Sequence, residues 1–334
     1  APPGTLLFGD KLDEVASDII EEADGSFLIL GGKEDKNSGE WDVMLIKVDG
    51  TGRELWTRII EDDDRNSYGR HLVKTPDGYG IVTYEQQAAN GSFYGGVNIF
   101  LERYDEDFQL QGRASISGVS AYYGTNDPVA ELFVTPSGGF IVETFSYDQT
   151  SLQQFSAAGV PSEPINIVNG SLGAREARTL TPDLDGGFVM AQANGYSSNE
   201  VNVYVFDEEG NPLSGIQNYT LNQGGQVIGM AVMPDSTYLL TMWTYDYSTA
   251  SVGANYLTHL DPDGTVLDQI NLSSQAYYTK VYPQADGSLI LIGNTQEVYG
   301  SNGLEATNTL VVYKESLQGE EQVVSYGGVN GDGM

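Results

Sequence analysis

Cysteine is absent from the 334-residue chain. Disulfides, thiolate metal sites, c-type haem attachment and a cysteine nucleophile are therefore excluded within it. Basic residues are scarce: 15 Lys and Arg stand against 47 Asp and Glu, a net charge of −32. Such a surface repels nucleic acids and anionic membranes, so no nucleic-acid partner is expected. The acidity has two readings. One is solubility in a salty medium, where screening acts over about a nanometre; the other is attraction of cations or of a basic partner. No apolar run reaches the roughly 18 residues that cross a bilayer as a helix, so no membrane insertion is expected. Helical periodicity is not sustained in any segment. Histidine occurs twice, as His71 and His259. Neither a Gly-x-Ser-x-Gly elbow, a His-Glu-x-x-His pair nor a phosphate loop is present, so the reading leans against an enzyme.

What is plentiful is glycine, at 41, and tyrosine, at 21, and the glycine is periodic. A turn followed by an apolar run recurs: Asp24-Gly25-Ser26-Phe27-Leu28-Ile29, Asp77-Gly78-Tyr79-Gly80-Ile81-Val82, Ser137-Gly138-Gly139-Phe140-Ile141, Asp185-Gly186-Gly187-Phe188-Val189, Asp235-Ser236-Thr237-Tyr238-Leu239 and Asp286-Gly287-Ser288-Leu289-Ile290. A second marker runs in phase, an apolar run closing on residues 49, 105, 156, 207, 261 and 314, with spacings of 56, 51, 51, 54 and 53. Between markers lie four short apolar runs joined by Asp/Gly turns, the pattern of antiparallel strands. Four strands repeated six times predict an all-β chain, a six-bladed β-propeller of four-stranded antiparallel blades. The whole chain is then one domain of six repeats, near 10–62, 63–118, 119–169, 170–222, 223–273 and 274–328. Residues 1–9 would be a closing or extra outer strand. Both Thr5–Gly9 and Gln322–Gly328 read as that outer strand, so one is expected to add beside the other or to pair with a neighbouring chain, a strand-mediated assembly.

The stretch Asp42-Val43-Met44-Leu45-Ile46-Lys47-Val48-Asp49-Gly50-Thr51-Gly52, with Trp56 after it, resembles the β-propeller repeats of secreted bacterial and archaeal proteins. Their consensus runs Asp-Gly-Gly-aromatic-aliphatic, then Lys-x-Asp-x-x-Gly, then Trp. The later copies lack the lysine and the tryptophan. The resemblance implies the propeller fold and an exported protein, and no single activity. An exported chain also fits the start Ala1-Pro2-Pro3, which has the look of a mature terminus left by signal-peptide removal. Four Asn-x-Ser/Thr sequons, at Asn90, Asn169, Asn218 and Asn271, point the same way. An extracellular, cell-surface or periplasmic location is expected.

Three groups of residues are candidates for function. The long connections at one end of each blade gather Tyr68, Tyr122, Tyr123, Tyr245, Tyr247, Tyr277, Tyr278 and Tyr299. Tyrosine offers contact area and a hydroxyl at little entropic cost, suiting a protein or carbohydrate partner; the same rings could instead pack over the sheet rims. Six residues before each first turn stand Asp18, His71, Glu131, Thr179, Gly229 and Lys280. The ionisable ones, Asp18, His71, Glu131 and Lys280, could hold an ion or ligand in the axial channel, or pair with one another and close it. The run Asp62-Asp63-Asp64 is the weak metal candidate, against a solvated loop. Asp183-x-Asp185-Gly186 and Asp261-x-Asp263-Gly264 resemble fragments of calcium loops, but acidic turn residues also cap their own backbone. His259 is expected to be structural. No cofactor is expected, with calcium possible. The leading reading is a secreted or cell-surface, non-catalytic binding or assembly module. The alternative is a calcium-assisted hydrolase or lyase acting on a polysaccharide or an ester.

Overall fold

The computed structural model describes residues 14–35, 38–60, 66–86, 97–117, 129–146, 149–169, 179–194, 198–213, 216–246, 251–272, 276–284, 288–295, 309–316 and 321–326. These form only strands, turns and connections. Sheet I holds β1 (Glu14–Glu21), β2 (Phe27–Glu34), β3 (Trp41–Val48) and β4 (Glu54–Ile60); sheet II holds β5 (Ser67–Thr75), β6 (Gly78–Gln86), β7 (Val97–Asp105) and β8 (Leu110–Ser115). Sheet III holds β9 (Val129–Val134), β10 (Phe140–Ser146), β11 (Gln149–Phe155) and β12 (Ile165–Asn169); sheet IV holds β13 (Thr181–Pro182), β14 (Phe188–Ala193), β15 (Glu200–Phe206) and β16 (Gln217–Thr220). Sheet V holds β17 (Gln226–Val232), β18 (Tyr238–Asp246), β19 (Ser251–Leu260) and β20 (Val266–Leu272); sheet VI holds β21 (Ala276–Pro283), β22 (Ser288–Thr295), β23 (Thr309–Ser316) and β24 (Glu321–Tyr326). Each is a four-stranded antiparallel meander of consecutive strands. The C-terminal segment competing for the last place of sheet VI is therefore its fourth strand, β24 pairing with β23 through Val312↔Val324. The rival segment, Thr5–Gly9, lies outside the described residues.

The chain divides into two compact units, residues 1–146 with 150–167, and 147–149 with 168–334. In the first, β5 packs on β1, β2 and β3, and β9 packs on β5. In the second, β17 packs on β13 and β14, and β21 packs on β17 and β18. The second strands are buried on both faces, which explains their continuous apolar runs. Ile81 and Val82 are adjacent on β6 and both fully buried. Ile81 joins Leu28, Leu30, Val43 and Leu45 of sheet I, whereas Val82 joins Val129, Leu132, Phe140 and Val142 of sheet III. Leu239 and Leu240 divide in the same way between sheets VI and IV.

Among the described residues, nine hairpin turns share one geometry. In each, the fourth residue's N–H donates to the first residue's carbonyl, and the first residue's N–H donates to the fifth's carbonyl. Four join first to second strands, at Glu22–Ser26, Thr135–Gly139, Asp183–Gly187 and Met233–Thr237; five join third to fourth strands, at Asp49–Arg53, Asp105–Gln109, Ser156–Val160, Asp207–Asn211 and Asp261–Thr265. This is a type I turn closed by a bulge residue at positive φ. Glycine holds that fourth place in seven of them, Ser236 in one (φ 68°) and Phe108 in one (φ 59°).

Candidate functional site

The first strands carry a repeated irregularity. The pairing register shifts between Ala16 and Asp18, Gly69 and His71, Val129 and Glu131, Val227 and Gly229, and Tyr278 and Lys280. Five of the six first strands are thus bulged immediately before the position singled out in the sequence. A bulge re-aims the side chains that follow it, so these residues are equivalent by backbone geometry as well as by spacing. Where they point is specific. Asp18 Oδ2 accepts from the Leu72 N–H of β5 at 2.8 Å, and Oδ1 accepts from its neighbour Ile19 N–H. His71 Nε2 lies 3.1 Å from the Val129 carbonyl of β9. Each side chain ties its strand to the first strand of the next sheet. Burial raises the Asp18 carboxyl above the usual carboxylate range, with nearby Glu131 adding to the rise, against the Leu72 N–H and His71. Glu131 is buried too and lies opposite Glu143. Lys280 pairs with Ile292 in the second unit and is half-buried. Among the described residues, no group of three His, Asp or Glu side chains converges as a metal would require.

The turn carboxylates are engaged by their own loops. Asp49 Oδ1 accepts from the N–H groups of Thr51 and Arg53 and from the Thr51 hydroxyl. Asp105 and Asp207 repeat the backbone pair, and the Ser156 hydroxyl oxygen accepts from Val160 N–H. Asp261 accepts from Asp263 N–H, Asp263 from Thr265 N–H and Asp183 from Leu184 N–H. Hydrogen bonds from Thr51 and Arg53 pull the Asp49 carboxyl down to about 2. Ser26, Thr237 and Thr265 act likewise on Asp24, Asp235 and Asp263. In each of these loops a side-chain oxygen therefore caps its own backbone. The run Asp62, Asp63 and Asp64 lies outside the described residues. His259 Nε2 sits 2.6 Å from the Thr237 hydroxyl, which in turn sits 2.6 Å from Asp235 Oδ1, so it buttresses a turn.

The tyrosines divide. Tyr122, Tyr123, Tyr247 and Tyr299 lie outside the described residues. Tyr245, expected on a connection, belongs to β18, because the β18–β19 ladder runs on to Asp246↔Ser251 past a bulge at Thr244. Tyr277 and Tyr278 likewise belong to β21. Tyr68 is a strand residue in β5, half-buried, with its ring 5.6 Å from that of Tyr84 and packed on the core between sheets II and III. For Tyr68 the packing reading holds. Tyr245, Tyr277 and Tyr278 border the end of their sheets that carries the second-to-third-strand connection.

Sequence reasoning missed a recess in the first unit. A cavity of about 480 Å³ lies between sheets I and II, lined by Val43, Arg58, Ile59, Ile60, Ser67, Glu102, Tyr104, Asp107, Phe108, Gln109 and Leu110. Phe108 is one of its walls. Its ring stacks on Tyr79 at 4.5 Å and meets Trp56 edge-on at 5.6 Å. The Arg58 guanidinium lies 5.4 Å from the Trp56 ring and 5.5 Å from that of Phe108, and donates to the Asp107 carbonyl. Glu102, at the inner wall, takes Arg113 at 3.0 Å and the Tyr104 hydroxyl at 2.6 Å. Tyr79 donates to Glu22 and carries Lys74 over its ring at 4.0 Å. Burial pushes the Tyr79 phenol up, Glu22 adding and Lys74 opposing. The recess offers apolar and aromatic walls with partnered charges. Its signal in the sequence was Phe108, standing where sister turns have glycine.

No family model and no curated protein matches the chain. Solved structures do resemble it. A protein from Lactobacillus plantarum aligns at 14% identity over 93% of this chain and 84% of that one, with a TM-score of 0.49. A protein from Bacteroides caccae aligns at 12% identity over 85% and 88%, with a TM-score of 0.44. The β-propeller domain of the Trilobed protease from Pyrococcus furiosus, described as having an open velcro topology, aligns at 11% identity over 94% and 96%, with a TM-score of 0.35.

Proposed function

We propose that the chain is a six-bladed β-propeller, exported to the cell surface or beyond, and that it is a non-catalytic binding or assembly module for a protein or glycan partner. The observation that carries this reading is how the ionisable groups are used. Asp18 and His71 are committed to the backbone of neighbouring first strands, and the turn carboxylates to their own loops. Asp18 and His71 thus tie neighbouring repeats together, and the turn carboxylates brace their own hairpins. What is left for recognition is the end of the sheets carrying the longer connections, 35–40, 87–96, 194–199 and 296–308 among them. Variable connections on a rigid scaffold are where binding residues concentrate. Tyr122, Tyr123, Tyr277 and Tyr278 are the residues assigned to that surface.

The test is the variant with these four tyrosines changed to Ala. Retention on a panel of immobilised polysaccharides and on the envelope of the source cells should fall at least tenfold, with the melting temperature nearly unchanged. A large drop in melting temperature with retention intact would make the rings packing residues. Calcium-dependent cleavage of any polysaccharide or ester in the panel would replace the module with the enzyme.

A further inference from the structure

We propose that Asn218 is the acceptor of an N-linked glycan that shields the edge strand of sheet IV. Three of the four sequons fall on fourth strands: Asn169 closes β12, Asn218 lies in β16 and Asn271 in β20. Asn90 lies outside the described residues. A fourth strand is the edge of its sheet, with one row of backbone groups unpaired, and natural edges are guarded against adding a foreign strand. The usual guard is charge. Among the fourth strands without a sequon, β4 carries Glu54 and Arg58, β8 carries Arg113 and β24 carries Glu321. By contrast β12 and β16 carry no charged residue, whereas β20, like β8 and β24, carries one, Asp268. The two fourth strands without the usual guard both hold the asparagine of an acceptor motif, in a chain otherwise rich in carboxylates.

The local geometry suits the chemistry. Side chains two apart on a strand share a face, so Asn218 and Thr220 stand together, and both are exposed. The residue between them is locked: Tyr219 is buried, its hydroxyl 2.8 Å from the Asp261 carbonyl of sheet V. Ile216, two residues before Asn218, is 53% exposed and would lie beneath a sugar there. In the transfer, the carboxamide nitrogen forms a bond to the anomeric carbon of a lipid-diphosphate-linked oligosaccharide. That carbon's bond to the diphosphate oxygen breaks, and the nitrogen gives up one proton. Nothing is oxidised or reduced.

The inference rests on the export reading, because such transfer takes place outside the cytoplasm. The experiment is protease digestion and mass spectrometry of the full-length protein recovered from cultures of its source, fractionated by compartment. Peptides holding Asn218 should carry added hexose or hexosamine masses. Thr220→Ala should abolish the addition at Asn218, while Thr220→Ser keeps it. Unmodified peptides from protein found outside the cytoplasm would overturn the inference and leave export standing; unmodified protein confined to the cytoplasm would overturn both. Addition that persists in Thr220→Ala would also overturn it.

Discussion

The β3–β4 and β7–β8 turns follow the same path. In both an aspartate accepts two backbone N–H groups of its own loop, and in both the fourth residue enters the left-handed region. One turn places Gly52 there and the other Phe108, at φ 81° and 59°. A side chain in this region costs about 1 kcal/mol or more, because its Cβ crowds the following carbonyl. The aspartate and the hydrogen bonds dictate the path; what lies beside the turn decides who occupies the fourth place. At the sister Gly264 an added Cβ would meet nothing within 4 Å, so a side chain would be strained and gain no contact. At Phe108 the rings of Tyr79 and Trp56 are waiting, and stacking offsets the strain.

The widest break of this comparison is Phe108→Ala, which removes the ring but keeps the strain. It should destabilise by about 3–5 kcal/mol, the usual cost of emptying a buried aromatic site, read from urea unfolding. Phe108→Gly also removes the ring but frees the backbone, so it should be less harmful by about 1 kcal/mol. Glycine outranking alanine reverses the order at ordinary positions; alanine proving better would mean the turn relaxes when the ring leaves. Next in size is Gly264→Ala, expected to lose about 1 kcal/mol by strain alone, with the midpoint moving at constant m-value.

The smallest effect is electrostatic and depends on pH. The Asp49 carboxyl is held near 2 in the folded chain against about 3.9 when unfolded. The folded value is depressed, so its contribution is complete above about pH 4 and disappears as pH falls through 2. Asp49→Asn should therefore be less stable than the parent at pH 7, with the gap closing between pH 4 and pH 2. A gap constant across that range would show that the Asp49 charge plays no part in the cap.

Much of the architecture was legible because its cause is local. Asp and Gly at fixed places in a turn reflect capping and positive φ, and both markers fall on turns: Asp49, Asp105, Ser156, Asp207 and Asp261 are each the first residue of one. Of the six expected starts of the first strands, those near 14, 68, 128, 227 and 278 lie close to the observed Glu14, Ser67, Val129, Gln226 and Ala276; the one near 176 lies outside the described residues, and the strand described there begins at Thr181. The bulges were not legible, since the extra residues Ser17, Arg70, Ala130, Ile228 and Thr279 share no chemistry. Their cause lies in how neighbouring strands meet. The Phe108 recess needed the partner rings of Trp56 and Tyr79, one of them 52 residues away in sequence from Phe108 (108 − 56). Tyr68, Tyr245, Tyr277 and Tyr278 were placed on connections although tyrosine is itself a strand former, and the strands extend to include them.

Every sheet is built from one uninterrupted stretch of chain, and this has a mechanical consequence. A molecule stretched by its ends would be loaded at a sheet edge, where hydrogen bonds open in sequence like a zip. No strand is lent from one described sheet to another, so one meander could unravel and leave the next intact. Each repeat of roughly 53 residues would then release about 19 nm of contour length, at about 3.6 Å per extended residue. Force spectroscopy on the full chain should show a ladder of such steps, each at modest force, rather than a single large rupture.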